Sequence, residues 1–231
     1  MEIADQLKDL IYSGIYQPND KLPSERDLAI QFKAGRLAVR EALRVLEHSG
    51  FITIKQGSRG GAFIELTGTN VVKRSLTDFI RLSNVTPQNL TEARISIELS
   101  VAEFAMQRIT DEEMASLYQN IMGTKRLGEE GSDTVGSNVN FHMLLAKAAK
   151  NPILETLLAG ILDIYLSSQG QWNIDPDFKR NHVEEHLRIY EALKTGEMTT
   201  FINAIKQHVL SISEQFTKVQ KETSMPVKVS G

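Results

Sequence analysis

"LPSERDLAIQFKAGRLAVREALRVLEHSGFITIKQGSRGGAFI", residues 22–64, changes its hydrophobic period midway. Ser24 stands where an N-cap belongs, with Asp27 three residues on, and Leu28, Ala29 and Phe32 supply the apolar face of a short helix. "KAG" makes a tight turn, after which Val39, Ala42, Leu43 and Leu46 recur at helical spacing until "HSG" ends the helix at Gly50. The period then becomes that of strands, "FITIKQ" and "AFIEL", on either side of the glycine-rich "GSRGG". Upstream, Ile3, Leu7, Leu10 and Ile11 share one face of an earlier helix that "GIYQPND" terminates. Three short helices and a hairpin are the order of a winged helix-turn-helix, whose second motif helix enters the DNA major groove.

That helix carries Arg36, Arg40 and Arg44 at four-residue spacing, off the apolar face. A charged stripe is commonly only a solvated surface. The winged-helix order favours a function for this one. Residues 33–61 hold six Lys and Arg against two Glu, a net of +4, in a chain of formal charge -3, so the basic footprint is local. An arginine fork donates two bonds to guanine O6 and N7 and also attracts phosphate. Arg36, at the helix start, is the expected base reader, and Leu37 beside it suits a thymine methyl. Arg40 and Arg44 point to the backbone or to bases farther along. Arg26 lies in the first turn of the preceding helix, where phosphates bind favourably, and Arg59 sits on the wing tip.

The rest of the chain contains no further convincing strand. Helices are expected near 69–82, 87–108, 111–127, 134–149, 152–168, 176–194 and 197–221, with Asn151-Pro152 as a cap and N1 proline and Gly196 as a C-terminal cap. No period of 20–50 residues suggests a solenoid, so an antiparallel bundle is expected. The expected organisation is mainly α: a winged helix-turn-helix domain over 1–66, a linker at 67–70, a helical effector-binding and dimerisation domain over 71–222, and a flexible tail at 223–231. The hydrophobic share of 41% and charged share of 24% are those of a globular protein. The first residues lack a secretory pattern and there is no cysteine, so a cytoplasmic protein without membrane association is expected.

"LPSERDLA" followed by "RLAVREALRVLEHSGFITIKQGSRGGAFI" resembles the DNA-binding domain of GntR-type bacterial transcription regulators, over nearly all of residues 7–65. The resemblance implies that Arg26, Arg36 and Arg40 occupy DNA-contacting positions and that Gly57 lies at the wing tip. Two positions depart. Gly35 stands where the family usually has Ser or Thr, and Leu37 where it has Thr, so two hydroxyl contacts to DNA are absent.

In the helical part, several polar residues share apolar faces. Arg94 lies with Leu90, Ile97, Val101 and Ala105. A buried charge needs a partner, which is either Glu98 one turn away or the carboxylate of a ligand. His142 shares a face with Val135, Val139, Leu145 and Ala149, and Asn138 precedes it by one turn. His186 is centred among Val183, Ile189, Tyr190 and Leu193, and His208 lies beside Ile205 and Ile212. A lone core histidine is commonly structural. Three on three helices suggest converging imidazoles, good ligands for zinc or nickel.

"NVNFHMLLAKAAKNPIL", "EEHLRIYEALKTGE" and "AIKQHV" resemble the ligand-binding domain, of FCD type, of the fatty-acid-responsive FadR subfamily of GntR regulators, across residues 69–220. The resemblance implies His142, His186 and His208 as metal ligands, Arg94 as a pocket residue near the effector, and a homodimer. Asn138 departs from the usual Asp. Its amide oxygen still coordinates, but the site is more positive, which favours a small carboxylate effector completing the shell. The expected function is therefore operator binding modulated by an organic or sugar acid. The rival reading comes from "HVEEH", residues 182–186, which fits the H-x-x-E-H signature of zinc peptidases. A zinc hydrolase needs a metal-bound water with a general base, and has no use for an arginine-bearing winged helix.

Overall fold

The computed structural model describes residues 3–57, 60–65, 69–83, 85–169 and 176–223. The chain divides into two compact units, residues 1–72 and 73–231. In the first, α1 (Ile3–Tyr12), α2 (Glu25–Gln31) and α3 (Arg36–His48) precede β1 (Ile52–Lys55) and β2 (Gly61–Ile64). Ser24 caps α2 in both directions: its hydroxyl accepts from the Asp27 N–H at 3.2 Å and donates to the Asp27 carboxylate at 2.6 Å. In the turn between α2 and α3 the left-handed residue is Lys33, with φ 50°, whereas Gly35 is the extended N-cap of α3 with no side-chain bond.

The hairpin is antiparallel, with Ile52 opposite Ile64 and Lys55 opposite Gly61. Residues 19–22 add an edge to it that the hydrophobic pattern does not reveal. Leu22 N–H donates to Ala62 O at 2.8 Å and Ile64 N–H to Asp20 O at 2.8 Å. Leu7, Leu22, Leu28, Val39, Leu43, Leu46, Ile52 and Ile64 bury together as the core of this unit. That core fixes which side of α3 stays outside.

Beyond it the described residues form helices: α4 (Thr69–Leu82), α5 (Pro87–Arg108), α6 (Asp111–Glu129), α7 (Val135–Ala148), α8 (Pro152–Gln169), α9 (Pro176–Thr195) and α10 (Met198–Thr223). Among the described residues, no helix is long and apolar enough to cross a membrane. Asn151 Oδ1 accepts from the Ile153 and Leu154 N–H groups at 3.1 and 3.3 Å, so α8 begins at Pro152, and Gly196 takes the left-handed φ of 74° after α9. Thr86 with Asn89 and Thr110 with Glu113 form capping boxes on α5 and α6. Of the expected linker, residues 67 and 68 lie outside the described residues, and Thr69 and Asn70 already stand in α4. Of the expected tail, Thr223 ends α10 and residues 224–231 lie outside the described residues.

α5 packs against α7, α8 and α10, α6 against α7 and α9, and α9 against α10. The core of this unit includes Val101, Ala105, Phe141, Leu145, Leu158 and Phe201. α5 buries Leu90, Thr91, Arg94, Glu98, Val101, Ala102 and Ala105 along one face. A guanidinium and a carboxylate thus occupy core positions on the helix that three others surround.

Candidate functional site

The first site is the outer face of α3. Arg26, Arg36, Leu37, Arg40 and Arg44 are all exposed, and Leu37, 71% exposed, is an apolar side chain set among the arginines. Arg40 is not a free cation. Its Nε and Nη2 donate to the two oxygens of Glu25 on α2 at 3.1 and 2.8 Å, a bidentate pair that fixes the guanidinium between the two motif helices. The bond from Arg40 outweighs burial and holds the Glu25 carboxyl below its ordinary range, with Arg36 and Arg44 adding to the pull. Arg44 donates to Glu41 at 2.9 Å on the same helix. Arg40 is thus preset by Glu25, a partner that the stripe itself did not announce.

The wing supports close approach. Gly57 has φ 102°, and a Cβ on Gly60 would lie 2.3 Å from the Lys55 carbonyl oxygen, so that position admits only glycine. Lys21 and Lys55 stand over the Phe63 ring at 5.7 and 4.8 Å, which adds two cations at the wing root. Arg59 lies outside the described residues.

The second site is inside the helical unit. His142 on α7, His186 on α9 and His208 on α10 are 3, 0 and 1% exposed. Their Nε2 atoms converge: His142 and His186 each lie 3.1 Å from His208. An ion bound by imidazole at about 2.0–2.1 Å has neighbouring ligand nitrogens roughly 3.0–3.4 Å apart. The spacing fits. Behind the nitrogens stand carboxylates. His142 Nδ1–H donates to Glu98 at 2.8 Å, and His208 Nδ1–H donates to Glu185 at 2.7 Å, which also accepts from Ser211 at 3.1 Å. These bonds select the tautomers that turn both Nε2 lone pairs inward, as carboxylates behind metal-bound histidines do. Asn138 Oδ1, one turn before His142, is buried with no hydrogen-bond partner, as a ligand atom awaiting a cation would be. The His186 ring stacks on Phe141, centroids 4.0 Å apart.

Electrostatics agree with a cation site. Burial, with the neighbouring histidines and Arg94 adding to it, pushes His186 and His208 well below their ordinary pKa, and burial also lowers His142 against the opposing pull of Glu98. All three are therefore neutral at pH 7. Burial works to raise Glu98, but His142 and Arg94 outweigh it and keep the carboxyl ionised. Arg94, 2% exposed, donates from Nε to Glu98 at 2.6 Å and from Nη2 to His142 Nε2 at 3.1 Å, with its guanidinium 5.0 Å from the Tyr165 ring centroid. The expected pairing of Arg94 with Glu98 is present. The wider role of Glu98, which bridges Arg94 and His142, did not follow from helical spacing, and neither did the support of His208 by Glu185.

The "HVEEH" segment does not assemble as a peptidase pair. Among the described residues, His186 groups with His142 and His208, whereas His182 groups with Glu185 and His208.

Residues 1–64 match the family described as bacterial regulatory proteins, gntR family, and residues 89–211 match the FCD domain. The chain is similar to the Uxu operon regulator of Haemophilus influenzae, 28% identical over 216 residues that cover 91% of this chain and 79% of the relative. It is also similar to the HTH-type transcriptional regulator LutR of Bacillus subtilis, 26% identical, covering 89% of this chain and 95% of the relative. The HTH-type transcriptional repressor NanR of Klebsiella aerogenes is 25% identical, with 95% of this chain and 85% of the relative covered. Among solved structures, Streptococcus agalactiae GntR superposes with a TM-score of 0.70 at 27% identity, covering 92% of this chain and 97% of that one. An arginine-faced winged helix-turn-helix followed by an FCD domain places the chain in the gntR family of bacterial regulatory proteins, as a transcription regulator and not an enzyme.

Proposed function

We propose that the protein binds a pseudo-palindromic operator as a cytoplasmic homodimer and that a small carboxylate, bound at a metal-holding pocket of the FCD domain, modulates that affinity. The observation that carries this reading is the convergence of three neutral Nε2 atoms, with the His142–His208 and His186–His208 pairs each 3.1 Å apart and carboxylates behind His142 and His208. Asn138, His142, His186 and His208 would hold the ion, zinc or nickel by donor type. A bound divalent ion supplies coordination positions for carboxylate oxygens. Arg94 would supply the second contact: its Nη2, which donates to His142 Nε2 at 3.1 Å, lies where it could instead donate to the effector carboxylate. With Asn in place of Asp the donor set carries no negative charge, so an anionic effector completes it favourably. Phe79 and Leu82, 60 and 88% exposed three residues apart on α4, supply apolar surface for a second copy.

The ligand must favour one protein state, or it regulates nothing. With an operator selected from randomised duplexes, a gel shift titrated with small organic and sugar acids is expected to move operator affinity by about tenfold for the matching acid. The effect should disappear in chelator-stripped protein. Affinity unmoved by any pocket-binding acid would sink the proposal.

In the DNA interface we assign Arg36, with Leu37, to bases, Arg26 and Arg44 to phosphates, Arg40 to whichever edge the Glu25 pair presents it, and Gly57 and Arg59 to wing contact. Arg36→Ala should relax preference at one base position at a cost of roughly 1–3 kcal/mol, whereas Arg26→Ala should weaken all sequences alike and flatten the salt dependence. Selection on the same duplex library reads both, and equal losses on every sequence would reverse the assignment.

A further inference from the structure

His208 is engaged at both ring nitrogens. Nε2 faces His142 and His186, while Nδ1 faces Glu185 Oε2 at 2.7 Å. His182 stands beside this pair, its ring centroid 5.2 Å from that of His208 and steeply inclined to it at 74°. Donor atoms of His182, Glu185 and His208 all lie within 4.8 Å of one another, so a second donor set shares His208 with the first. The two sets differ in burial. The inner histidines are closed to solvent, whereas the Glu185 side chain remains 20% exposed and His182 6%.

That gradient matters because a hydrated dication cannot enter a dry site without replacing its water ligands on the way, and moving a bare ion into a low-dielectric interior is very costly. We propose that His182, Glu185 and the Nδ1 edge of His208 form an outer divalent-cation station through which the ion loads into, and leaves, the inner histidine cluster. The proposal rests on the metal reading of that inner cluster. Among the described residues Glu185 is the only acid in either donor set, and its anion draws the dication to the less buried side. His208 then hands the ion inward with a single ring proton. When the ion is outside, Nδ1 offers the lone pair and the proton sits on Nε2, where His142 or His186 accepts it at 3.1 Å. When the ion is inside, Nε2 offers the lone pair and the proton sits on Nδ1, donated to Glu185. The exchange is neutral overall: the Nε2 proton leaves through His142 or His186, and the Nδ1 proton arrives from solvent by way of Glu185. Because His208 serves one side at a time, each chain holds one ion, not two.

Glu185 also orients His208, so the discriminating variant is His182→Ala, with His182→Gln as a volume-preserving second. The full chain, stripped with chelator, is mixed with Co²⁺, whose absorption reports imidazole coordination, and the loaded protein is separately mixed with excess chelator. Both variants should bind one equivalent with near-wild-type affinity, while loading and release each slow by about tenfold. Equal slowing with unchanged affinity is the signature of a route, and full uptake shows that the variant folds. Unchanged rates, faster release alone, or a second equivalent bound by the wild type would each overturn the proposal. Failure of the wild type to bind one equivalent would instead remove the inner site on which it rests.

Discussion

Glu98→Gln is expected to destabilise the metal-stripped protein by about 3–5 kcal/mol, a lowering of the melting temperature of roughly 10 °C for a chain of this size. The reason is the number of acceptors. Glu98 faces two donors, Arg94 Nε–H at 2.6 Å and His142 Nδ1–H at 2.8 Å, and its side chain is 3% exposed. A carboxylate offers each donor an oxygen. Glutamine keeps one oxygen and sets an NH₂ group against the other donor, while the Arg94 charge loses its counter-ion in a region that water does not reach. The cost therefore comes from stranding Arg94 more than from losing a favourable pair. Removing the stranded charge as well, in Arg94→Met with Glu98→Gln, should recover about half of the loss or more, because the remaining glutamine oxygen still serves His142. Denaturant melts of the two single variants and the double variant in chelator measure this coupling. A loss below about 1 kcal/mol for Glu98→Gln, or a double variant no better than the sum of the singles, would show that the network is not what holds α5 to α7.

The same network shows where sequence reading reaches and where it stops. Helix ends marked by local chemistry were legible: Ser24 caps α2, Asn151 and Pro152 open α8, and Gly196 closes α9. So were the hairpin and the apolar side of α3. The three histidines could be singled out because each lay on an apolar face of its own helix, a local anomaly that needs no knowledge of how the helices pack. Their partners could not be found that way. Glu185 sits beside His186 in sequence but serves His208, 23 residues away, and Glu25 meets Arg40 across the turn between two helices. Such pairs depend on helix packing, which periodicity does not encode. α5 was legible at its observed bounds, with Arg94 on its apolar face, but that Glu98 reaches on to His142 depends on how α5 meets α7. The edge pairing of residues 19–22 along β2 escaped because it uses backbone groups, which carry no residue signature.

Acid should expose the histidine cluster even without metal. His186 and His208 have folded pKa values pushed well below 6.5 by burial first and then by neighbouring histidines and Arg94, and His142 is lowered too, whereas in the unfolded chain each titrates near 6.5. Below pH 6.5 the unfolded chain therefore binds protons that the folded chain refuses, and stability falls as pH falls. His186 and His208 each cost about 1 kcal/mol over the first pH unit below 6.5, approaching about 1.4 kcal/mol per unit further down, so metal-stripped protein should lose about 2 kcal/mol or more between pH 6.5 and 5.5. Glu185 works in the opposite direction, because burial raises its folded pKa and its protonation favours the fold, so it trims this loss without reversing it. Glu98, held low, adds its own loss only below pH 4.5, outside this window. Zinc at about 100–1,000 times its dissociation constant should add 2.7–4.1 kcal/mol to the folded state. Above pH 6.5 that increment should be nearly independent of pH, since the folded ligands are already deprotonated. His208→Ala should abolish the zinc increment and lessen the acid slope, because it removes both a ligand and one of the groups that refuse protons. Thermal melts from pH 8 to 5, with chelator and with zinc, read both effects. A flat profile through pH 6.5 for the stripped wild type would mean that the histidines take up protons in place, and a zinc increment retained by His208→Ala would put the ion elsewhere.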